Sequence, residues 1–216
     1  ADAQVGDDFQ INPEQIELRY FGVLTKIFNV GRFASQFDFD GDLDTVPDDL
    51  ENEDKWILAE FTDLLEKAKK GYSELDIYTA AQGIKTFSTG VFASHWLEMA
   101  KTRLYNEDAS GTWTLHRIFR DLLSILSPVC PFFTHHLSTT LYEKSSVEID
   151  VFPSSPITGT EEWTKLTESL VEFNSVIWKT KKDEGISLAA PLSGQKVPEE
   201  LSIISEALVS MHKLED

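Results

Sequence analysis

Residues 12–34 read N-P-E-Q-I-E-L-R-Y-F-G-V-L-T-K-I-F-N-V-G-R-F-A, and the fold class follows from how this stretch is read. Asn12 is a capping residue and Pro13 suits the first helical position, so a helix is expected to start here and run to about Phe37. At about 100° per residue, Ile16, Tyr20, Val23, Ile27, Val30 and Ala34 share one face, the core stripe of an amphipathic helix.

The same punctuation recurs downstream. A second helix is expected from near Pro47, with Asp48, Asp49 and Glu51 at its positive end, to the stop at Gly71. Ser73 caps a third, from about Glu74 to Tyr105, whose apolar face carries Ile77, Ala81, Ile84, Val91, Phe92 and Met99. Gly83 and Gly90 lie inside it, where they bend it or thin it for close packing. A fourth helix spans about 111–126 and ends at S-P-V-C-P (127–131); a fifth runs from Pro131 to about Lys144. V-E-I-D-V-F (147–152) has the two-residue period of a half-buried strand. A Pro/Ser/Gly linker (153–159) leads to a helix over about 161–184, the segment I-S-L-A-A-P-L (186–192) and a last helix after Pro198. The expected architecture is mainly α: a helical bundle over 1–153 and a small α/β appendage over 154–216.

The chain has 216 residues and no apolar run long enough to span a membrane, so no membrane partner is expected. It shows no secretory leader, and its single cysteine, Cys130, cannot form an intrachain disulfide; both fit a cytoplasmic location. The net charge of −18 argues at first against nucleic acid. The charge is uneven, however. Half of it sits between Asp38 and Asp54, nine acids without one Lys or Arg, which leaves room for a local positive surface elsewhere.

Catalytic patterns are largely missing: there is no phosphate-binding glycine loop, no G-x-S-x-G and no H-E-x-x-H. His135 and His136 are adjacent, so on a helix they diverge by about 100° and chelate poorly together. No metal site is expected. Cys130, between two prolines, reads as a packed small hydrophobe.

Beside the core stripe of the first helix runs a second line: Gln15, Arg19, Gly22, Lys26, Asn29 and Phe33. Cations for phosphate, amides for base edges and an aromatic face for stacking are what unstacked RNA requires. The same line also fits a solvated flank whose Phe33 packs on a neighbouring element. In the third helix His95 lies mid-stripe and reads as a hydrogen-bonded core residue. Arg103 borders the stripe as a semi-buried organiser, while Lys101 and Tyr105 point outward, Lys101 towards phosphate or water. Lys179, Lys181 and Lys182 read as a solvated basic helix end.

These segments, in this order, resemble a known family. The stretch N-P-E-Q-I-E-L-R-Y-F-G-V-L-T-K-I-F-N-V-G-R-F is similar to the helix that opens the anticodon-binding domain of class Ia aminoacyl-tRNA synthetases. D-K-W-I-L (54–58), F-A-S-H-W-L-E-M-A-K-T-R-L-Y (92–105), L-S-P-V-C-P-F-F-T-H-H-L (126–137) and S-V-E-I-D-V-F-P (146–153) resemble its later motifs. R-L-Y and K-D-E-G-I-S-L-A-A-P-L (182–192) look most like the valyl type, especially the archaeal one, with isoleucyl and leucyl types as near competitors. The resemblance implies a bundle that binds the anticodon stem and loop of tRNA, specifically tRNA(Val). The family's loop-contacting lysine and stacking aromatic fall on Lys26 and Phe33. An arginine found near the start of that helix in valyl enzymes is Gln15 here, with Arg19 one turn on as the available substitute. Arg32, Lys101 and Arg103 would add phosphate or base contacts, and Asn29 would read a base edge. The family's Glu-Glu after P-F-x-[ST] is His135-His136 here.

Neither H-I-G-H nor K-M-S-K-S is present, so the resemblance implies a non-catalytic C-terminal piece of a ligase. It needs no cofactor of its own; ATP and magnesium belong to a catalytic domain that, with an editing domain, is its partner in one parent chain. A monomer is expected. The rival from another class is a protein-interaction module whose acidic 38–54 stretch docks a basic partner.

Overall fold

The structure is a computed structural model. It describes residues 13–16, 21–143 and 151–215, with the side chains at 15 and 16 excepted. Helix α1 (Pro13–Ile16) precedes α2 (Gly22–Ala34), and α3 (Asn52–Ser73), α4 (Ile77–Thr86), α5 (Leu97–Tyr105), α6 (Ala109–Leu126) and α7 (Pro131–Tyr142) complete the bundle. The C-terminal part holds α8 (Glu161–Thr164), α9 (Thr167–Asp183), a 3₁₀ turn (Glu199–Ile204) and α10 (Ser205–His212). Strands β1 (Leu192–Ser193) and β2 (Leu214–Glu215) pair in parallel. The mainly helical expectation, with a small appendage, holds.

The stripe read from α2 is the buried one: Ile27, Val30 and Ala34 are in the core and Val23 packs against it. Gly31 shows why the helix comes so close to its neighbours. A Cβ there would stand 3.0 Å from the Phe119 ring and 3.5 Å from Leu137, so α6 and α7 approach the backbone itself. Gly83 similarly meets Leu64, whereas nothing lies near Gly90.

Several boundaries differ from those expected. The second helix starts at Asn52, not Pro47; Pro47 lies in the acidic loop and Glu51, in extended conformation, is the N-cap. Ser73 closes α3, and the cap of the third helix is Asp76, whose Oδ1 accepts from the Thr79 amide at 3.0 Å. That third helix is not one α-helix. Between α4 and α5, residues Phe87–Trp96 wind as a ten-residue π-helix. Ile77, expected in the core stripe, is at the first position of α4 and 42% exposed. The helix expected over 161–184 is broken at Lys165 and Leu166 between α8 and α9. Of the strand expected at 147–152, residues 147–150 lie outside the described residues, and 151–152 are not in a strand.

The C-terminal elements share the apolar core. Leu166, Leu170, Phe173, Ile177, Leu201 and Leu208 join the bundle residues in one cluster. Polar bonds cross the same seam. Trp56 Nε1 donates to Thr167 Oγ1 at 2.8 Å, and that hydroxyl donates to Glu60 Oε1. Among the described residues no helix is long and apolar enough to cross a membrane.

Candidate nucleic-acid interface

The site is framed by an ion cluster that ties two of the sequence motifs together. Arg103, from K-T-R-L-Y, reaches Asp54, from D-K-W-I-L: Nη2 to Oδ2 is 2.7 Å and Nη1 to Oδ1 is 3.2 Å. The same guanidinium bonds Glu53 at 2.7 Å and Asp108 at 2.5 Å. Asp54 is fully buried and also accepts from Trp96 Nε1 at 3.0 Å and Ser110 Oγ at 2.7 Å. Burial opposes the charge on Arg103, but Asp54, Glu53 and Asp108 together hold it protonated well above its ordinary pKa. Burial in turn pushes the Glu53 carboxyl up, against the pull of Arg103. The semi-buried organiser read from the sequence is what Arg103 is. Both its Nη groups are taken by carboxylates, so it shapes the end of α5 rather than offering a free cation.

Lys26 is similarly engaged. Its Nζ donates to the Thr89 carbonyl and to Ser94 Oγ at 2.8 Å, both in the π segment. A π-helix bonds i to i+5, and Ser94 Oγ reaches back five residues to the same Thr89 carbonyl at 2.9 Å. Lys26 therefore fastens α2 to the widened turn. Burial lowers its pKa, with Glu98 opposing.

The C-terminal half of α2 also leaves side chains exposed. Asn29 and Arg32 are exposed, and neither side chain has a partner among the described residues. Phe33 is half-buried and meets Phe37 at 4.9 Å and Tyr105 at 6.0 Å between ring centroids; Phe37 and Tyr105 are 5.4 Å apart. All three contacts are edge-on, and Tyr105 is 61% exposed, so the trio forms an aromatic corner with an open side. Such a corner can take a flat heterocycle on one ring face with another ring's edge beside it. His116 steadies it from below: its Nε2 donates to the Phe37 carbonyl at 2.7 Å. Burial lowers the His116 pKa, which keeps the ring neutral.

Of the other expected contacts, Lys101 pairs with Glu98 at 2.6 Å on a half-exposed surface. Arg19 lies outside the described residues, and so does the side chain of Gln15. The structure thus brings Asn29, Arg32 and Phe33 together at the corner and adds Tyr105 and Phe37, which the sequence reading did not assign. The missed signal was Tyr105 in R-L-Y, an exposed aromatic at a helix end beside a long helix carrying Phe33.

His95 is buried as expected. The Asn174 amide donates to its Nδ1 at 2.8 Å, and His212 Nε2 donates to Asn174 Oδ1 at 2.7 Å. Lys181, expected in a solvated basic end, is instead fully buried. Its ammonium donates to the carbonyls of Leu188 (2.9 Å), Ala190 (2.7 Å) and His212 (2.7 Å). The spacing K-T-K-K alone cannot show this, because the three acceptors come from a loop and a helix end that fold back onto α9. Lys179 and Lys182 are exposed. The acidic stretch is partly paired, Asp44 with Arg120 at 2.7 Å, and Asp42 caps its own turn. Cys130 is half-buried, and burial raises its thiol pKa. Among the described residues no group of three or more His, Cys, Asp or Glu is placed to hold a metal ion.

Comparison with known proteins gives the arrangement a context. A family model described as the anticodon-binding domain of tRNA ligase matches residues 54–196. Valine–tRNA ligase of Sulfolobus acidocaldarius is 30% identical over 194 residues, covering 89% of this chain and 23% of that protein. The corresponding protein of Aeropyrum pernix is 33% identical over 226 residues, 98% of this chain and 27% of that one. That of Haloarcula marismortui is 28% identical over 199 residues, 91% and 22% respectively. The chain spans about a quarter of the length of the curated relatives it matches.

Proposed function

The chain belongs to the family of anticodon-binding domains of tRNA ligases, and from that premise we propose that it holds the anticodon arm of tRNA(Val) for a valine–tRNA ligase. Its work is positioning: the arm is gripped here so that the acceptor end reaches catalytic and editing domains outside these 216 residues. The protein acts in the cytoplasm as a monomer and needs no cofactor of its own; ATP and magnesium serve the catalytic domain.

The observation that carries this reading is the aromatic corner of Phe33, Phe37 and Tyr105 beside the exposed Arg32 and Asn29, whose side chains have no partner among the described residues. A stacking face, a free guanidinium and a free amide are the elements that single-stranded loop recognition uses. Within it Phe33 and Tyr105 take a base, Arg32 meets phosphate and Asn29 reads a base edge. Lys101 contributes when it exchanges Glu98 for phosphate. Lys26 and Arg103 act indirectly, by fixing α2 and α5. Gln15 and Arg19, earlier in the sequence, extend the contact.

Binding of tRNA transcripts followed by fluorescence anisotropy tests it. The isolated protein should bind valine tRNA in a salt-sensitive way, each phosphate contact adding about −0.7 to −0.9 to the log–log slope. Phe33→Ala should weaken binding about tenfold. Equal affinity for valine and unrelated tRNAs at low salt would remove the valine specificity, and unchanged affinity in Phe33→Ala would remove the corner.

A further inference from the structure

A second surface, which shares Lys101 with the anticodon contact proposed above, brings several of the lysines of this acidic chain together. A cleft of about 590 Å³ separates the π segment and α5 from the C-terminal part, with Lys26, Lys101 and Lys213 in its walls. An adjoining recess of about 670 Å³ carries Lys179 and Lys182. Both are lined by Trp178 and Leu188, so they form one continuous surface with the indole on the ridge between them. Among the described residues five lysines and a single carboxylate, Glu98, line it, in a chain with 37 acidic and 19 basic residues. Asp183 and Glu184, at the end of α9, line neither recess.

The surface is built rather than accidental. Trp178 is half-buried, with one ring face stacked on His95 at 5.4 Å and its edge towards His212 at 6.0 Å. His95 is itself held by Asn174, so the indole is backed by a rigid polar network and turned towards the clefts. Buried Lys181 pins both walls at once, through the carbonyls of Leu188 and Ala190 on one side and His212 on the other. Burial drives the His212 pKa down to about 4, so this residue lines the cleft uncharged and the positive charge comes from lysines alone.

The geometry points to a second RNA-binding site in this cleft, where Trp178 stacks a base and Lys101, Lys179, Lys182 and Lys213 hold the flanking phosphates. An indole face between lysines is the chemistry of single-stranded nucleic acid; an acidic protein segment would use the lysines but not the ring. The cleft also continues the anticodon corner. Thr102 lines it and Tyr105 forms the corner, three residues or about 4.5 Å further along α5. The site rests on the tRNA-binding reading and extends it to the C-terminal part.

The test uses the whole chain and a tRNA(Val) transcript, with Trp emission and anisotropy read together. Trp56, Trp96 and Trp113 are buried and Trp163 is half-buried, so only the part of the quenching that disappears in Trp178→Phe is assigned to the ridge. The triple variant K179Q/K182Q/K213Q changes only exposed side chains and should fold normally. Its salt slope should fall by about 2, and its affinity at low salt about tenfold. If the triple variant and Trp178→Phe bind as the wild type does, with no quenching at Trp178, the cleft is not an RNA site while tRNA binding at the corner stands. If the wild type binds no tRNA, both readings fall. If polyglutamate displaces the transcript and quenches Trp178 equally, the cleft is a protein-docking surface and the RNA site is refuted.

Discussion

Acidification should unfold this protein through His212, and the size of the effect can be worked out. His212 is 1% exposed, and burial, Lys181 and His95 bring its pKa from the ordinary 6.5 to about 4. The native state therefore resists the proton that the unfolded chain accepts. Stability from this group is complete above the unfolded value, falls as pH drops below it, and levels off near the folded value. For one site the loss is about 1.4 kcal/mol near pH 5.5 and about 2.5 kcal/mol near pH 4.5. His95 and His116, whose pKa values are also lowered by burial, act in the same direction. Glu53 and Glu60, raised by burial, act oppositely, since their native forms take up protons first. Asp42 and Asp76 are lowered, and their contribution is lost only below this window. The clean measurement is therefore a difference. Urea unfolding followed by tryptophan emission at several pH values should show a steeper acid loss in the wild type than in His212→Gln, which keeps a donor for Asn174. Parallel pH profiles for the two proteins would refute the assignment.

Arg103→Met should destabilise by about 3–5 kcal/mol, because Asp54 is left buried with its charge uncompensated. Arg103→Lys should recover only part of this in urea unfolding, since one ammonium cannot span both carboxylate oxygens as the planar fork does. Gly31→Ala gains about 1 kcal/mol in helix propensity. It loses about 1–3 kcal/mol by pushing a methyl group against Phe119, which is fully buried and has nowhere to move. The net result should be a lower melting temperature; a higher one would mean that α2 and α6 can part without cost.

The parts legible in the sequence were those set by local periodicity and by motifs. The α2 stripe and the existence of the following helices could be read from spacing, but their starts could not, since the caps are Glu51 and Asp76 rather than residues at Pro47 and Ser73. The π segment could not. F-S-T-G-V-F-A-S-H-W has the composition of an ordinary buried helix, and nothing local says that its hydrogen bonds skip one residue further. The candidate site divided along the same line. Asn29 and Phe33 sit on the predicted line because that depends on α2 alone, and Arg32, expected from the resemblance, is exposed on the same helix. The roles of Lys26, Arg103 and Lys181 depend on partners 63, 49 and 31 residues away, which no single-sequence pattern brings together. Lysines that look alike in K-T-K-K therefore divide into one buried pin and two exposed charges.

The π segment also sets the clock for everything after it. A turn closed by five residues instead of four advances the chain less around its axis per residue, so these ten residues act as a rotational joint between α4 and α5. One residue inserted or deleted there would turn α5 by somewhat less than the roughly 100° that separates successive residues of an α-helix. Arg103 would swing off Asp54, and Tyr105 would leave Phe33. The ion cluster and the aromatic corner thus keep time from a single gear, and a length change in this segment would lose both together, although Trp96, through its bond to Asp54, is the one residue of the segment that touches either.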